Sequence, residues 1–197
     1  MSGSSASEAA LLWDESFLWG IMAFRALKAS GIPFGVITAE EIRQGRLRDC
    51  RLLFVPGGWA SNKLKALGEE GAAEIRRFVS EGGSYLGFCG GAGLSTQDGL
   101  GLVSVKRMPT KQRVPSFSGR INLNLNDHPL WNDIHASPVF HAWWPSQFLI
   151  DDPAVRILAT YGDPLPDAFS SDLNVGDMEK TTGWESLEEK YRINLDP

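Results

Sequence analysis

One cysteine sits where a nucleophile would sit. In Gly82-Gly83-Ser84-Tyr85-Leu86-Gly87-Phe88-Cys89-Gly90-Gly91-Ala92-Gly93 a short apolar run ends in a thiol, and small residues follow at once. If Cys89 lies after a parallel strand and before a helix, the turn is sharp and its neighbours must be small. Gly87, Gly90, Gly91, Ala92 and Gly93 meet that demand. A helix amino end favours thiolate over thiol, and its free N–H groups can hold an oxyanion. Gly90 would supply one such donor. A second glycine turn, Pro56-Gly57-Gly58, follows another apolar run, and Gly58 could turn its N–H inward as the second donor. Gly57, Gly91 and Trp59 would then line the pocket, with Trp59 at its mouth. The same residues also have a packing reading: a free cysteine is a good small hydrophobe, and glycine turns close helices onto sheets.

The thiol needs partners. His141, in Val139-Phe140-His141-Ala142-Trp143-Trp144, could act as general base and then acid, or pack among its aromatic neighbours. Trp143 is a further candidate for the pocket wall, or for a subunit interface. Asp14 and Glu15 end the first apolar run at the same sheet edge as Cys89. They could face the thiol, or open the following helix as cap and first-turn acid. Cys50 precedes a strand without a glycine turn and reads as structural. The two cysteines fit no CxxC pattern, so neither a metal nor a cofactor is called for.

These positions depend on the elements around them. Ala9–Trp13, Pro33–Thr38, Arg51–Val55 and Ser84–Phe88 are short, nearly continuous apolar runs, as expected of strands buried on both faces. Between them lie helical patterns: Phe17, Leu18, Ile21, Met22, Phe24 and Leu27; a short turn from Glu40; and Glu69 to Ser80, with Ala73, Ile75, Phe78 and Val79 inward. The alternation predicts an α/β fold, a mostly parallel sheet covered on both faces, with ligands at the carboxyl ends of its strands. Beyond Thr96 the pattern loosens. Gly101–Val105, Arg120–Leu125, Val139–Trp143 and Val155–Thr160 read as strands, the first two as antiparallel additions.

The chain of 197 residues predicts one domain over 9–197 after a flexible 1–8, large enough to bury about 70% of its unfolded surface. Its net charge of −5 argues against nucleic acid as a partner. No targeting or membrane-spanning segment is read, and a reducing, cytoplasmic setting is expected. A small-molecule ligand and a homo-oligomer both fit.

LLFVPGG, a helix ending in GG, and SYLGFCGGAG together resemble the class I glutamine amidotransferase-like superfamily, and most nearly the domain at the amino end of biotin–protein ligases. The resemblance implies a flavodoxin-like three-layer α/β/α sandwich, Cys89 as the nucleophile position, and Gly58 and Gly90 as the oxyanion positions. It also implies a His-x-Glu pair after a late strand. None of the three histidines is followed by Glu at that spacing, and the chain reads as ending before that strand. In the DJ-1-like branch a carboxylic acid bonds the thiol, and Glu15 is the residue this would implicate. Three readings follow: an amidotransferase-like domain that binds a ligand or partner, a Cys-dependent hydrolase or amidase, and a redox-sensing cysteine protein.

Overall fold

A computed structural model describes residues 8–14, 16–109, 112, 116–133 and 138–171, which fall into two compact units. The first comprises Met1–Arg107 and Phe148–Val155, the second Met108–Gln147 and Arg156–Pro197.

The first unit is built on four parallel strands: β1 (Ala9–Trp13), β2 (Gly35–Thr38), β3 (Leu52–Val55) and β4 (Ser84–Gly87), in the order β2-β1-β3-β4. β1 has a neighbour on each side, and Ala9 through Leu12 are buried. Alternate residues serve opposite faces. Ala10 and Leu12 join Ile37, Leu53 and Val55 in a core closed by Leu67, Ala72, Ile75 and Phe78 of helix α3 (Ala60–Ser80). On the other face Trp13 meets Phe24 of helix α1 (Phe17–Ala29) edge-on at 6.5 Å. Helices on both faces of a mostly parallel sheet give the flavodoxin-like α/β architecture. The connections leave β1 and β3 in opposite directions, so their carboxyl ends flank a switch point, where such folds open a crevice.

The short helix α2 (Ala39–Arg43) starts from a capping box. Thr38 Oγ1 accepts from Glu41 N at 3.3 Å, and the Glu41 carboxylate accepts from Thr38 N at 2.9 Å. Helix α3 is longer than its sequence pattern predicted, because it consists of two helical stretches joined at Gly68 (φ 63°, ψ −178°). The stretch from Glu69 is the legible one. The earlier turns hide because Gly68 interrupts the period. Arg43 donates to the carbonyls of Ala66 (2.5 Å) and Leu67 (3.4 Å), which satisfies groups that the kink releases. Ala73, expected inward, faces solvent while Ala72 is buried, a shift of one position. In α1 the expected apolar set divides. Leu27 is buried with Gly20, whereas Phe17, Leu18, Ile21 and Met22 are 62, 57, 41 and 54% exposed. Gly20 leaves room for the Trp13 ring, 3.3 Å from where a Cβ would lie, and this turns the opposite face of the helix outward.

β4 leads through Phe88 and Cys89 into helix α4 (Gly90–Ser95). A short strand β5 (Val105–Arg107) follows, so pairing begins where the sequence reading of Gly101–Val105 ended. In the second unit a long strand β6 (Ser116–Leu125) pairs antiparallel with β7 (Val139–Trp143). Strand β8 (Phe148–Ile150) returns to pair antiparallel with β5 in the first unit. Strands β9 (Ala159–Pro164) and β10 (Phe169–Ser171) then pair antiparallel with β6. The antiparallel strands expected in this half therefore exist, but as sheets of their own. The strand expected at Val155–Thr160 begins instead at Ala159.

Candidate functional site

Cys89 is where strand becomes helix. It precedes α4 at φ 51° and ψ −114°, a conformation that non-glycine residues rarely adopt, and its side chain is exposed. Backbone strain of this kind gathers where a structure holds a side chain for a purpose. The turn closes locally: Gly91 N donates to Phe88 O at 2.7 Å, and Gly93 N to Cys89 O at 2.9 Å. Gly90 opens the helix, so its own N–H has no partner within α4.

Close backbone approach explains the glycines. A Cβ on Gly90 would lie 1.6 Å from the carbonyl oxygen of Gly58. One on Gly91 would lie 2.1 Å from the carbonyl oxygen of Val55. The two glycine turns, expected from sequence to cooperate, therefore touch through their backbones. Gly57 is buried, with Trp19 carbons 3.1 Å from where its Cβ would be. Gly58 has φ 107° and lies against Ser16, whose Oγ would be 2.2 Å from a Gly58 Cβ. Trp59 caps α3 from an extended conformation and is 54% exposed.

Two residues with no signal in the sequence complete the setting. Lys63, in the first turns of α3, is fully buried and donates to Asp14 Oδ2 at 2.6 Å. Asp14 Oδ1 accepts from Ser16 N at 2.9 Å, so both carboxylate oxygens are engaged. Tyr85, on β4, donates its hydroxyl to Gly91 O at 2.7 Å, and burial pushes its phenol well above the ordinary value. A lysine near a helix start reads as solvated, and its partner lies 49 residues away. Tyr85 was legible only as a strand residue.

Glu15 falls outside the described residues. His141 and Trp143 are on β7, in the second unit, and both are exposed. His141 stands opposite Arg120 in the β6–β7 register. His128, like His141, belongs to the second unit, and His135 lies outside the described residues. Cys50 packs against the core, and burial, then the neighbouring Asp49 charge, raise its thiol above the ordinary value. Among the described residues no three His, Cys, Asp or Glu side chains gather as metal ligands, and no helix is long and apolar enough to cross a membrane.

A parallel sheet with a strained cysteine turn beside a glycine turn defines a class that the comparisons make specific. The family described as biotin-protein ligase, N terminal, matches residues 36–98. The pyridoxal 5'-phosphate synthase subunit PdxT of Desulforudis audaxviator is 34% identical over 142 residues, covering 66% of this chain and 71% of that protein. The subunit of the same name from Halorubrum lacusprofundi is 31% identical over 147 residues, covering 68% of each chain. The chain belongs to the class I glutamine amidotransferase-like superfamily, with likeness to the biotin–protein ligase amino-terminal domain. A solved β-galactosidase from Bifidobacterium adolescentis superposes at TM-score 0.35 and 14% identity over 97% of this chain and 100% of that one, too loosely to carry a conclusion.

Proposed function

We propose that the protein is an amidotransferase-like domain whose Cys89 forms a covalent acyl intermediate with a small carboxamide. The observation that carries this reading is the cysteine itself: an exposed thiol at φ 51°, touching a second glycine turn through Gly90. The Cys89 sulfur attacks the amide carbon, a C–S bond forms, and the carbonyl oxygen takes up the negative charge. The N–H groups of Gly90 and Gly58 are the donors in this reading. Collapse breaks the C–N bond, the nitrogen leaves as ammonia after taking a proton, and water hydrolyses the thioester to the acid. Gly57, Trp59 and Gly91 would line the pocket.

The relatives are named as a synthase subunit, which supports a chain that works beside another chain or a second copy of itself. Two free cysteines fit a reducing, cytoplasmic setting.

The test is covalent capture. A chloromethyl ketone analogue of glutamine should alkylate Cys89 with saturable kinetics, while iodoacetamide alkylates it without saturation, both read by peptide mass spectrometry with Cys50 as internal control. Capture by the analogue that stays linear in concentration, at the rate expected of any exposed thiol, would remove the amide-binding reading.

A further inference from the structure

We propose that the buried Asp14–Lys63 ion pair is a positioning device that fixes the Gly57–Gly58 turn against the Cys89 elbow. The inference deepens the acyl-transfer reading and rests on it for its catalytic meaning, though not for its structural content.

Lys63 is out of place by every local rule. Its side chain is 0% exposed, and that of Asp14 is 5% exposed. A cation in the first turns of a helix opposes the helix dipole. A buried ion pair is commonly no more stabilising than an apolar pair of the same volume, so stability does not account for it. Its surroundings do. The Lys63 Nζ lies 3.5 Å from the point a Gly58 Cβ would occupy, and Ser16 Oγ lies 2.2 Å from the same point. Asp14 holds Lys63 through one oxygen and Ser16 N through the other. The end of β1, the entry to α1 and the start of α3 thus meet at one carboxylate. Gly58 is clasped between the last two, and its carbonyl oxygen presses on Gly90. The mechanical path runs from Asp14 to Ser16 by a hydrogen bond, from Ser16 to Gly58 and from Gly58 to Gly90 by close packing, and along the chain to Cys89, with the Lys63 ammonium held beside Gly58. Two apolar side chains in place of the pair would fill the volume but would not set direction: an ammonium held at 2.6 Å fixes where α3 starts, and so where the turn before it lies.

The test separates holding the fold from holding the turn. Lys63→Met alone strands a buried carboxylate and should lower Tm sharply, whereas Lys63→Met with Asp14→Asn should recover most of the loss. In that double variant, amide hydrogen exchange in peptides 56–62 and 88–94 should still rise by about tenfold over the parent, with peptide 35–44 unchanged. Saturable capture of Cys89 by the glutamine analogue should fall with it. If the double variant recovers both Tm and slow exchange, the pair is only structural and the proposal is overturned. Should the double variant not fold, Lys63→Arg serves instead. It keeps the charge but moves the nitrogen, so faster exchange at 56–62 supports the proposal and unchanged exchange overturns it. Exchange that rises as expected in a protein whose Cys89 is never captured saturably would leave the positioning role intact and remove the acyl-transfer reading.

Discussion

The hydroxyl of Tyr85 donates to the carbonyl oxygen of Gly91 at 2.7 Å, tying the strand before Cys89 to the helix after it. Strand and helix are thus joined on both sides of the cysteine: Gly91 N reaches back to Phe88 O, and Gly91 O is held from β4. A turn strained at φ 51° needs such restraint, or its peptide groups would relax.

Tyr85→Phe removes the donor and with it the tie between β4 and α4, so it should lower stability by about 1 kcal/mol in urea titration. The pH dependence carries a second signature. Burial raises the phenol of folded Tyr85 above the free value of about 10. The folded state therefore keeps a proton that the unfolded chain gives up. That contribution is fully present below about pH 10 and is lost as pH rises toward the folded value. The parent should lose stability above about pH 10 more steeply than Tyr85→Phe, so the gap between them narrows. Parallel alkaline curves for the two proteins would show that Tyr85 is not protected as described.

Gly90 and Gly93 make opposite predictions although both lie in α4. A methyl on Gly90 would overlap the Gly58 carbonyl oxygen at 1.6 Å, and backbone on both sides must move. Gly90→Ala should destabilise by about 3 kcal/mol. A methyl on Gly93 would meet Arg107 Nη1 at 3.1 Å, the flexible end of a side chain. There the helix preference for alanine, about 1 kcal/mol, offsets the crowding, so Gly93→Ala should be near neutral. Thermal unfolding of the two variants side by side decides the matter, and equal losses would contradict the contact between the two turns.

The capping box at Thr38 supplies an acid-side test in the same unit. Hydrogen bonds from the Thr38 backbone and then its hydroxyl hold the Glu41 carboxyl below the usual carboxylate range. A depressed carboxylate contributes stability above its unfolded value of about 4.3, and that contribution is lost as pH falls through the folded value. Thr38→Ala should cost about 1 kcal/mol at neutral pH. The part of that cost carried by the bond from the hydroxyl to the Glu41 carboxylate should fade in acid, while the part carried by Glu41 N on Thr38 Oγ1 persists, so a cost that does not shrink at all by about pH 3 would point away from the carboxylate bond.

The parallel sheet was legible because β1 to β4 are short apolar runs broken by glycine and helix caps, a pattern that follows from burial on both faces. The elbow was legible for the same reason: Gly87, Gly90 and Gly91 are needed wherever backbone meets backbone, and that need is written in residue type. Lys63 was not legible. Its burial depends on Asp14, a residue distant in sequence, and the two meet only once β1 and α3 are packed. The exposed face of α1 was not legible for a related reason. Periodicity marks apolar positions but does not say which of two faces the Trp13 ring will claim. Gly101–Val105 gives a strand only from Val105, because Val105 pairs only when β8 returns from beyond residue 147, which no local pattern announces.

Cys89 itself yields the sharpest test of strain held for function. Its φ of 51° with ψ of −114° suits glycine, whereas any residue with a Cβ is strained there. Such strain amounts to about 1–3 kcal/mol, against about 0.5–1 kcal/mol that glycine loses through its freer unfolded chain. Cys89→Gly should therefore raise stability by about 1 kcal/mol while abolishing capture by the glutamine analogue. Cys89→Ala keeps the Cβ, and with it the strain, so it should lose capture without gaining stability. The comparison is made by urea titration of the three proteins at neutral pH, reading midpoint and slope together. If Cys89→Gly is no more stable than Cys89→Ala, the turn accepts the cysteine without strain, and the thiol's position reflects ordinary packing instead of a conformation held for reactivity.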